Sequence, residues 1–223
     1  MTLFGACMHT LDFSIIVQKL PTLLQGCAVT LLLCSISLLL ALVLGIVLAL
    51  LRDARNPIFS LPSQFFIWIF RGTPLMVQLY LLYYGLPSFG IRLTAVPAGV
   101  LGMSLNTAAY IAEIVRSGIQ AVDPGQREAA KALGMNAFLE MRRIVAPQAA
   151  KVCLLPLVNQ FVATIKNSSI LSVITITELT RAGTLISYST FRHFEAYIAI
   201  ALLYLVLTSI FTGLARYLAR HMR

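Results

Sequence analysis

Lys166 and Ser169 stand one helical turn apart, and an amine beside a hydroxyl at that spacing is the raw material of a Ser/Lys nucleophile. Nothing else in the chain supports such chemistry. There is no Gly-x-Ser-x-Gly elbow, no His-Glu-x-x-His pattern and no acidic metal cluster. His9, His193 and His221 are isolated, and we assign them no site. Cys7, Cys27, Cys34 and Cys153 form no Cys-x-x-Cys pair and have no His at metal spacing. Cys27, Cys34 and Cys153 lie in apolar segments, where Cys acts as a small hydrophobe. No metal or cofactor site is expected in this chain. What remains is a set of charged side chains inside apolar segments: Arg71, Glu113 and Lys166. A charge at mid-membrane costs roughly 2.5–3.5 kcal/mol on insertion scales, so it faces a bundle interior or water and takes a partner. Glu113 and Arg116 are three residues apart and can pair. Arg71 can snorkel to the interface, and Lys166 can anchor helix ends.

The elements holding these residues follow from composition. The chain is 59% hydrophobic and 11% charged over 223 residues, with no soluble second domain. Soluble domains carry about 25% charge, so this is an integral membrane protein. Leu20 to Leu51 contains no charged residue. Ala41, Gly45 and Ala49 recur there every four residues, a spacing that lets two helices approach closely. A second apolar segment, Ile58 to Leu86, is interrupted by Arg71-Gly72-Thr73-Pro74, with Thr73 as a candidate N-cap. Pro74 to Gly85 would be only about 18 Å long, so residues before Arg71 must enter the membrane too. Leu93–Ala112, Val152–Thr177 and Ala196–Ala215 complete the pattern. The expected fold is all-α, with five transmembrane helices near 22–51, 58–86, 93–118, 151–177 and 195–216 in one domain, 1–223. A loop, 119–150, joins the third and fourth.

The net charge of +9 is distributed as a topology signal and not as a nucleic-acid patch. Arg52, Arg55, Arg116, Arg127, Lys131, Arg142, Arg143, Lys151, Arg216, Arg220 and Arg223 fall on one side. Lys19, Arg92, Arg181 and Arg192 fall on the other. The positive-inside rule then puts the N-terminus outside, and the 119–150 loop and C-terminus in the cytoplasm.

That loop is the one long hydrophilic stretch. Asp123-Pro124-Gly125-Gln126 has the outline of a capping box with Pro at the first helical position. Gly134 is placed to end a first short helix and Asn136 to cap a second, giving a helix–turn–helix. Ala130, Leu133, Gly134, Ala137, Phe138 and Met141 follow helical spacing on one face. Arg127, Lys131 and Arg142 lie away from it. A face made mainly of Ala and Gly favours close approach to protein over lying on lipid.

Glu128-Ala129-Ala130, three residues, Gly134, nine residues, Ile144, two residues and Pro147 resemble the "EAA" loop of ATP-binding-cassette importer permeases. Ala146 departs from the pattern, where Leu commonly precedes the Pro. Five further stretches are similar to polar amino acid permeases. They are Arg71-Gly72-Thr73-Pro74-Leu75-Met76-Val77-Gln78-Leu79, Asn106 to Glu113, Pro147-Gln148-Ala149, Lys166-Asn167-Ser168-Ser169 and Glu178-Leu179-Thr180-Arg181. The likeness runs in order over about residues 20 to 215.

The resemblance implies a permease subunit in the bacterial cytoplasmic membrane that moves polar amino acids and is not itself an enzyme. Its implied partners are two ATPase subunits, a second permease copy or paralogue and an external solute-binding protein. Gln126, Glu128, Ala129, Ala130, Gly134 and Ala137 would seat on the ATPase. ATP and magnesium would belong to that partner, because this chain has no Gly-x-x-x-x-Gly-Lys-Ser/Thr loop. A polar amino acid carries an ammonium and a carboxylate, and its path needs weakly binding donors and acceptors. Arg71, Gln78, Asn106, Glu113, Asn159, Lys166, Asn167, Ser168 and Ser169 are the candidates. A secondary transporter or channel gives no reason for the Glu-Ala-Ala loop, and the Ser/Lys dyad is the sole mark of a membrane enzyme.

Overall fold

The computed structural model describes residues 11–54 and 56–221, with side chains through Tyr217. The expectations for Cys7, His9, Arg55 and Arg223, and for the side chains of Arg220 and His221, lie outside the described residues. The described residues form ten α-helices: α1 Ser14–Gln18, α2 Leu20–Arg52, α3 Pro57–Gly72, α4 Leu75–Tyr80, α5 Ala95–Gln120, α6 Pro124–Ala132, α7 Ala137–Glu140, α8 Ala146–Asn167, α9 Leu179–Thr190 and α10 His193–His221. π-turns at Leu81–Gly85 and Met141–Val145 and 3₁₀ turns at Leu86–Phe89 and Ser168–Ile174 extend them.

Four helical stretches, containing α2, α5, α8 and α10, are long and apolar enough to cross a membrane, and α3 with the α4 limb makes five if that bent pair is one span. The α2–α5 seam is the centre of the bundle. Ser37 donates to the Val100 carbonyl, and Arg52 and Asp53 meet Glu113 and Arg116. The two helices therefore run in the same direction. Their closeness comes from the small residues at every fourth position. Ala41 and Ala49 are buried against Ala108, Ile111 and Ala112. A Cβ on Gly45 would come within 2.6 Å of Ile111, so only a hydrogen fits there. α8 runs antiparallel to α5: Cys153 meets the Ile114 carbonyl near one end and Thr164 meets Thr107 further along. α10 returns beside α8, with Phe161 edge-on to Phe211. Cys27, Cys34 and Cys153 are free and buried in these apolar contacts.

Two parts differ from the sequence expectation. The 58–86 segment is two limbs bent by 106°, not one rod. α3 crosses α2 and α5 near one end: Ser63 donates to the Leu48 carbonyl, while Arg71 reaches Glu113 beside Arg52. Only the limb from Leu75 onward climbs along α5, with Gln78 level with Asn106. Both limbs are apolar, so hydropathy alone could not separate them. The second difference is α9, a helix between the fourth and fifth spans. Its composition is mixed, but Glu178 caps it, accepting from the N–H groups of Thr180 and Arg181, both at 2.9 Å. α9 packs Leu179 and Ile186 on Leu23, Cys27 and Ile200.

Candidate functional site

The bend between α3 and α4 frees backbone carbonyls that a continuous helix would have used, and in an apolar surrounding these must find donors. Gln78 supplies them. Its Nε2 donates to the Phe70 carbonyl at 3.1 Å, the Thr73 carbonyl at 3.1 Å and Thr73 Oγ1 at 2.8 Å. Asn106 on α5 donates to the same Phe70 carbonyl at 3.1 Å and to Gln78 Oε1 at 3.0 Å. Both amides are buried. Thr73 is not the N-cap of α4. It is extended, its hydroxyl donates back to the Ile69 carbonyl at 2.8 Å, and Pro74 takes the cap position. Within the described residues, Gln78 and Asn106 are thus spent on holding the corner.

At the same end of the bundle, Glu113 is shared. Its Oε1 meets Arg52 from the end of α2 and Arg71 from the end of α3, the latter at 2.9 Å. Its Oε2 is 3.9 Å from Arg116, and Arg116 turns its Nε to Asp53 at 3.1 Å. The i,i+3 pair read from sequence is therefore the longest contact in a network. The stronger partners come from other helices, which spacing along one chain could not reveal. The Arg71 guanidinium also lies 5.6 Å from the Tyr110 ring centre, a cation–π distance.

The Lys166-Asn167-Ser168-Ser169 run divides. Ser168 is buried, and its hydroxyl returns to the Ile165 carbonyl at 2.7 Å. Ser169 bonds the Lys166 carbonyl at 2.8 Å. Lys166 and Asn167 are exposed, and exposed Asn159 and half-buried Val162 continue that stripe down α8. Facing Lys166 across a cavity of about 280 Å³ are Thr208, Ser209, Thr212 and Arg216 of α10. Among the described residues no carboxylate pairs with Lys166. Sequence reasoning missed the α10 side, although Thr208, Thr212 and Arg216 repeat every four residues and mark one face of an apolar helix. His193 is not isolated either. Its Nδ1 is 2.6 Å from the Ser187 hydroxyl and ties α9 to α10.

The 119–150 loop folds as α6, a turn and α7. Asp123 caps α6 through the Gly125 N–H at 2.6 Å, one residue short of the Gln126 expected for a capping box. Gly134 adopts φ 73°, the left-handed turn, and Asn136 caps α7 through the Leu139 N–H at 2.9 Å. The apolar face read as continuous is split by this turn. Ala130 is buried, and Met141 packs beside Val122, Val145 and Ala149. Leu133 and Phe138 are 77% and 71% exposed. Gln126, Glu128, Ala129, Gly134 and Ala137 are exposed with them. Arg127 donates to the Ile119 carbonyl at 2.9 Å, which fixes α6 to the end of α5.

Comparison with known proteins agrees with this geometry along the chain. Residues 41–223 match the model of the family described as "Binding-protein-dependent transport system inner membrane component". The chain is 37% identical over 214 residues to the arginine transport system permease protein ArtQ of Bacillus subtilis, covering 96% of this chain and 98% of that one. It is 39% identical over 196 residues to the probable amino-acid ABC transporter permease protein PatM of Vibrio harveyi, covering 86% and 88%. The crystal structure of an amino acid ABC transporter with histidines contains a chain that superposes with a TM-score of 0.91 at 42% identity, covering 95% of this chain and 99% of that one. A chain of the MetNI methionine transporter shares the fold alone, with a TM-score of 0.76 at 16% identity.

Proposed function

This chain belongs to the family of binding-protein-dependent transport system inner membrane components, and we propose that it conducts polar L-amino acids inward at the expense of ATP hydrolysed elsewhere. It is an amino-acid ABC transporter permease subunit, a transport component and not an enzyme. The observation that carries the reading is the full-length likeness to a solved amino acid transporter chain at 42% identity. The inner membrane, an ATPase partner and a solute-binding protein follow from the family. Two ATPases, a second permease copy or paralogue, an outside N-terminus and a cytoplasmic C-terminus are the finer parts of the proposal. The charge asymmetry supports that orientation.

The α6–turn–α7 element is the proposed ATPase seat. Glu128, Ala129 and Gly134 stand exposed on it, with Leu133 and Phe138 offering apolar surface to a partner. A rigid element is needed to transmit closure of the ATPase to the spans. The caps on both helices, the Gly134 turn and the Arg127 anchor support that rigidity. The proposed path runs along the Lys166 groove, with Asn159, Asn167 and the α10 hydroxyls as its lining. Ser168 and Ser169 hold the α8 end of that groove, while Arg71, Glu113, Gln78 and Asn106 fix the α2, α3 and α5 ends away from it.

Uptake of radiolabelled amino acids into vesicles holding the permease, its ATPase and its binding protein tests the reading. ATP-dependent uptake of one or more polar amino acids is expected, and ATP-independent uptake would overturn it. Glu128→Lys and Gly134→Val should abolish uptake while the chain stays in the membrane. Normal transport with either change would remove α6–α7 from the coupling role.

A further inference from the structure

A cavity of about 400 Å³ opens where α3 crosses the ends of α2 and α5, lined by Arg52, Gln64, Trp68, Arg71, Tyr110 and Glu113. Its charges do not cancel. Among the described residues, Arg52, Arg71 and Arg116 share Glu113 and Asp53, which leaves one positive charge in excess. The Arg71 side chain is 44% exposed, so its donors are not exhausted by Glu113. A guanidinium presents a planar fork of N–H groups that matches a phosphate oxygen pair. The mouth of the cavity is aromatic. Leu61, Gln64, Phe65 and Trp68 follow helical spacing along one exposed side of α3, and the Phe65 and Trp68 rings stack at 5.9 Å. Trp68 and Phe65 are 71% and 61% exposed. Trp at the end of a span marks the headgroup level of a bilayer.

We propose that this cavity holds the phosphodiester of an anionic phospholipid, with the acyl chains lying along the exposed apolar side of α3. The single excess positive charge matches the single negative charge of such a headgroup. A basic pocket between membrane helices at the cytoplasmic side suits anionic lipid heads. A free phosphate ion would satisfy the guanidinium groups but has no use for the adjoining aromatic surface. The phospholipid is therefore the occupant the whole site fits. It would also tie α3, which crosses the bundle and lacks the long packing seam of α2 and α5, to one depth in the bilayer.

Trp68 is the one tryptophan in the chain, so its fluorescence reports this cavity. The full chain in mixed vesicles would be titrated with phosphatidylglycerol or phosphatidylcholine carrying brominated acyl chains, which quench a neighbouring indole. Half-quenching is expected at a mole fraction about fivefold lower for the anionic lipid. Arg52→Gln with Arg71→Gln should erase that preference and leave quenching by either lipid intact. Arg71→Lys, which keeps the charge and loses the fork, should retain part of it. Equal quenching by the two lipids in the unaltered chain overturns the proposal, whether or not the double variant folds. A preference that survives in the double variant overturns it too, since it would then come from the overall charge. Loss of the preference on adding inorganic phosphate would assign the site to the free ion instead.

Discussion

At the α3–α4 corner the polar side chains look inward and are used up. Gln78 and Asn106 are each 6% exposed, and their donors meet the Phe70 and Thr73 carbonyls. Along α8 and α10 the polar side chains look outward. Lys166, Asn167 and Asn159 are exposed, and Thr208, Ser209, Thr212 and Arg216 face Lys166 across a groove. Both regions place polar groups in apolar helices, and both read alike in the sequence. The difference is the backbone. A corner of 106° creates carbonyls that need donors, so the amides beside it are structural. α8 gives up one backbone donor at Pro156 but turns no such corner before Asn167, so the polar side chains there remain available to something else.

The sharpest way to break this comparison is to remove the amide that serves the corner. Gln78→Leu leaves the Thr73 carbonyl without its side-chain donor and Asn106 with the Phe70 carbonyl as its one remaining acceptor among the described residues. A hydrogen bond between membrane helices averages about 0.6 kcal/mol, but an unsatisfied buried group costs about 1–3 kcal/mol. We expect a loss of about 2 kcal/mol or more in reversible unfolding in mixed micelles, and uptake lost with it. Unchanged stability would mean the corner does not depend on Gln78. Lys166→Ala should do the opposite. Stability is expected to stay unchanged, while uptake falls on the order of tenfold, the equivalent of about 1.4 kcal/mol of binding. Normal uptake would take the groove off the proposed path, and a collapse in stability would make Lys166 structural like Gln78.

The contrast also explains what the sequence could and could not convey. α2, α5, α8 and α10 were legible because each is a long run with few charges, and the Ala41–Gly45–Ala49 spacing marked the central seam. The turn at Gly134 and the cap at Asn136 were legible because a positive φ and an unsatisfied N–H demand those residue types. The break at Arg71-Gly72-Thr73-Pro74 was legible from its residue types, but its 106° angle was not, since apolar residues lie on both sides of it. The partners of Glu113 were half legible: Arg116 lies on the same helix, whereas Arg52 and Arg71 are 61 and 42 residues away in the chain. α9 was missed because its Thr, Ser and Arg content hides the helix and because Glu178, its cap, is not among the residue types that mark an N-cap.

Two threonines sharpen the comparison further. Thr73, at the corner, sits in relaxed extended backbone with φ −119°. Thr175, where the 3₁₀ turn after α8 ends, sits at φ 70°, a left-handed conformation that a β-branched residue resists. Strain of about 1–3 kcal/mol is kept only where surrounding structure imposes it. Asn tolerates that conformation, so Thr175→Asn should raise stability by about 0.5–1 kcal/mol. A drop in stability on unfolding would show that the Thr175 side chain holds the segment, and the groove side would then be as fixed as the corner.

The smallest expected effect lies at the far end, where acid should separate a charged tether from the neutral corner. Asp12 precedes α1 and meets Arg192 at 3.9 Å, while its backbone N–H donates to Glu195 at 3.2 Å. Hydrogen bonds from Ser14, through its side chain and then its backbone, hold the Asp12 carboxyl below its ordinary range, and Arg192 adds to this. A carboxyl lowered on folding contributes stability above its unfolded pKa, and that contribution is lost as pH falls through the folded one. The window therefore lies below about pH 4, the ordinary aspartate range. Hydrogen exchange at the amides of α1 should quicken there, and Asp12→Asn should shrink that change, the remainder resting on Glu195, which still accepts the N–H of residue 12. The Gln78–Asn106 corner consists of neutral amides and carbonyls, so exchange at the amides of α4 should show no matching step. A step at both places would mean that the tether and the corner open together, and that the two ends of the bundle are one cooperative unit.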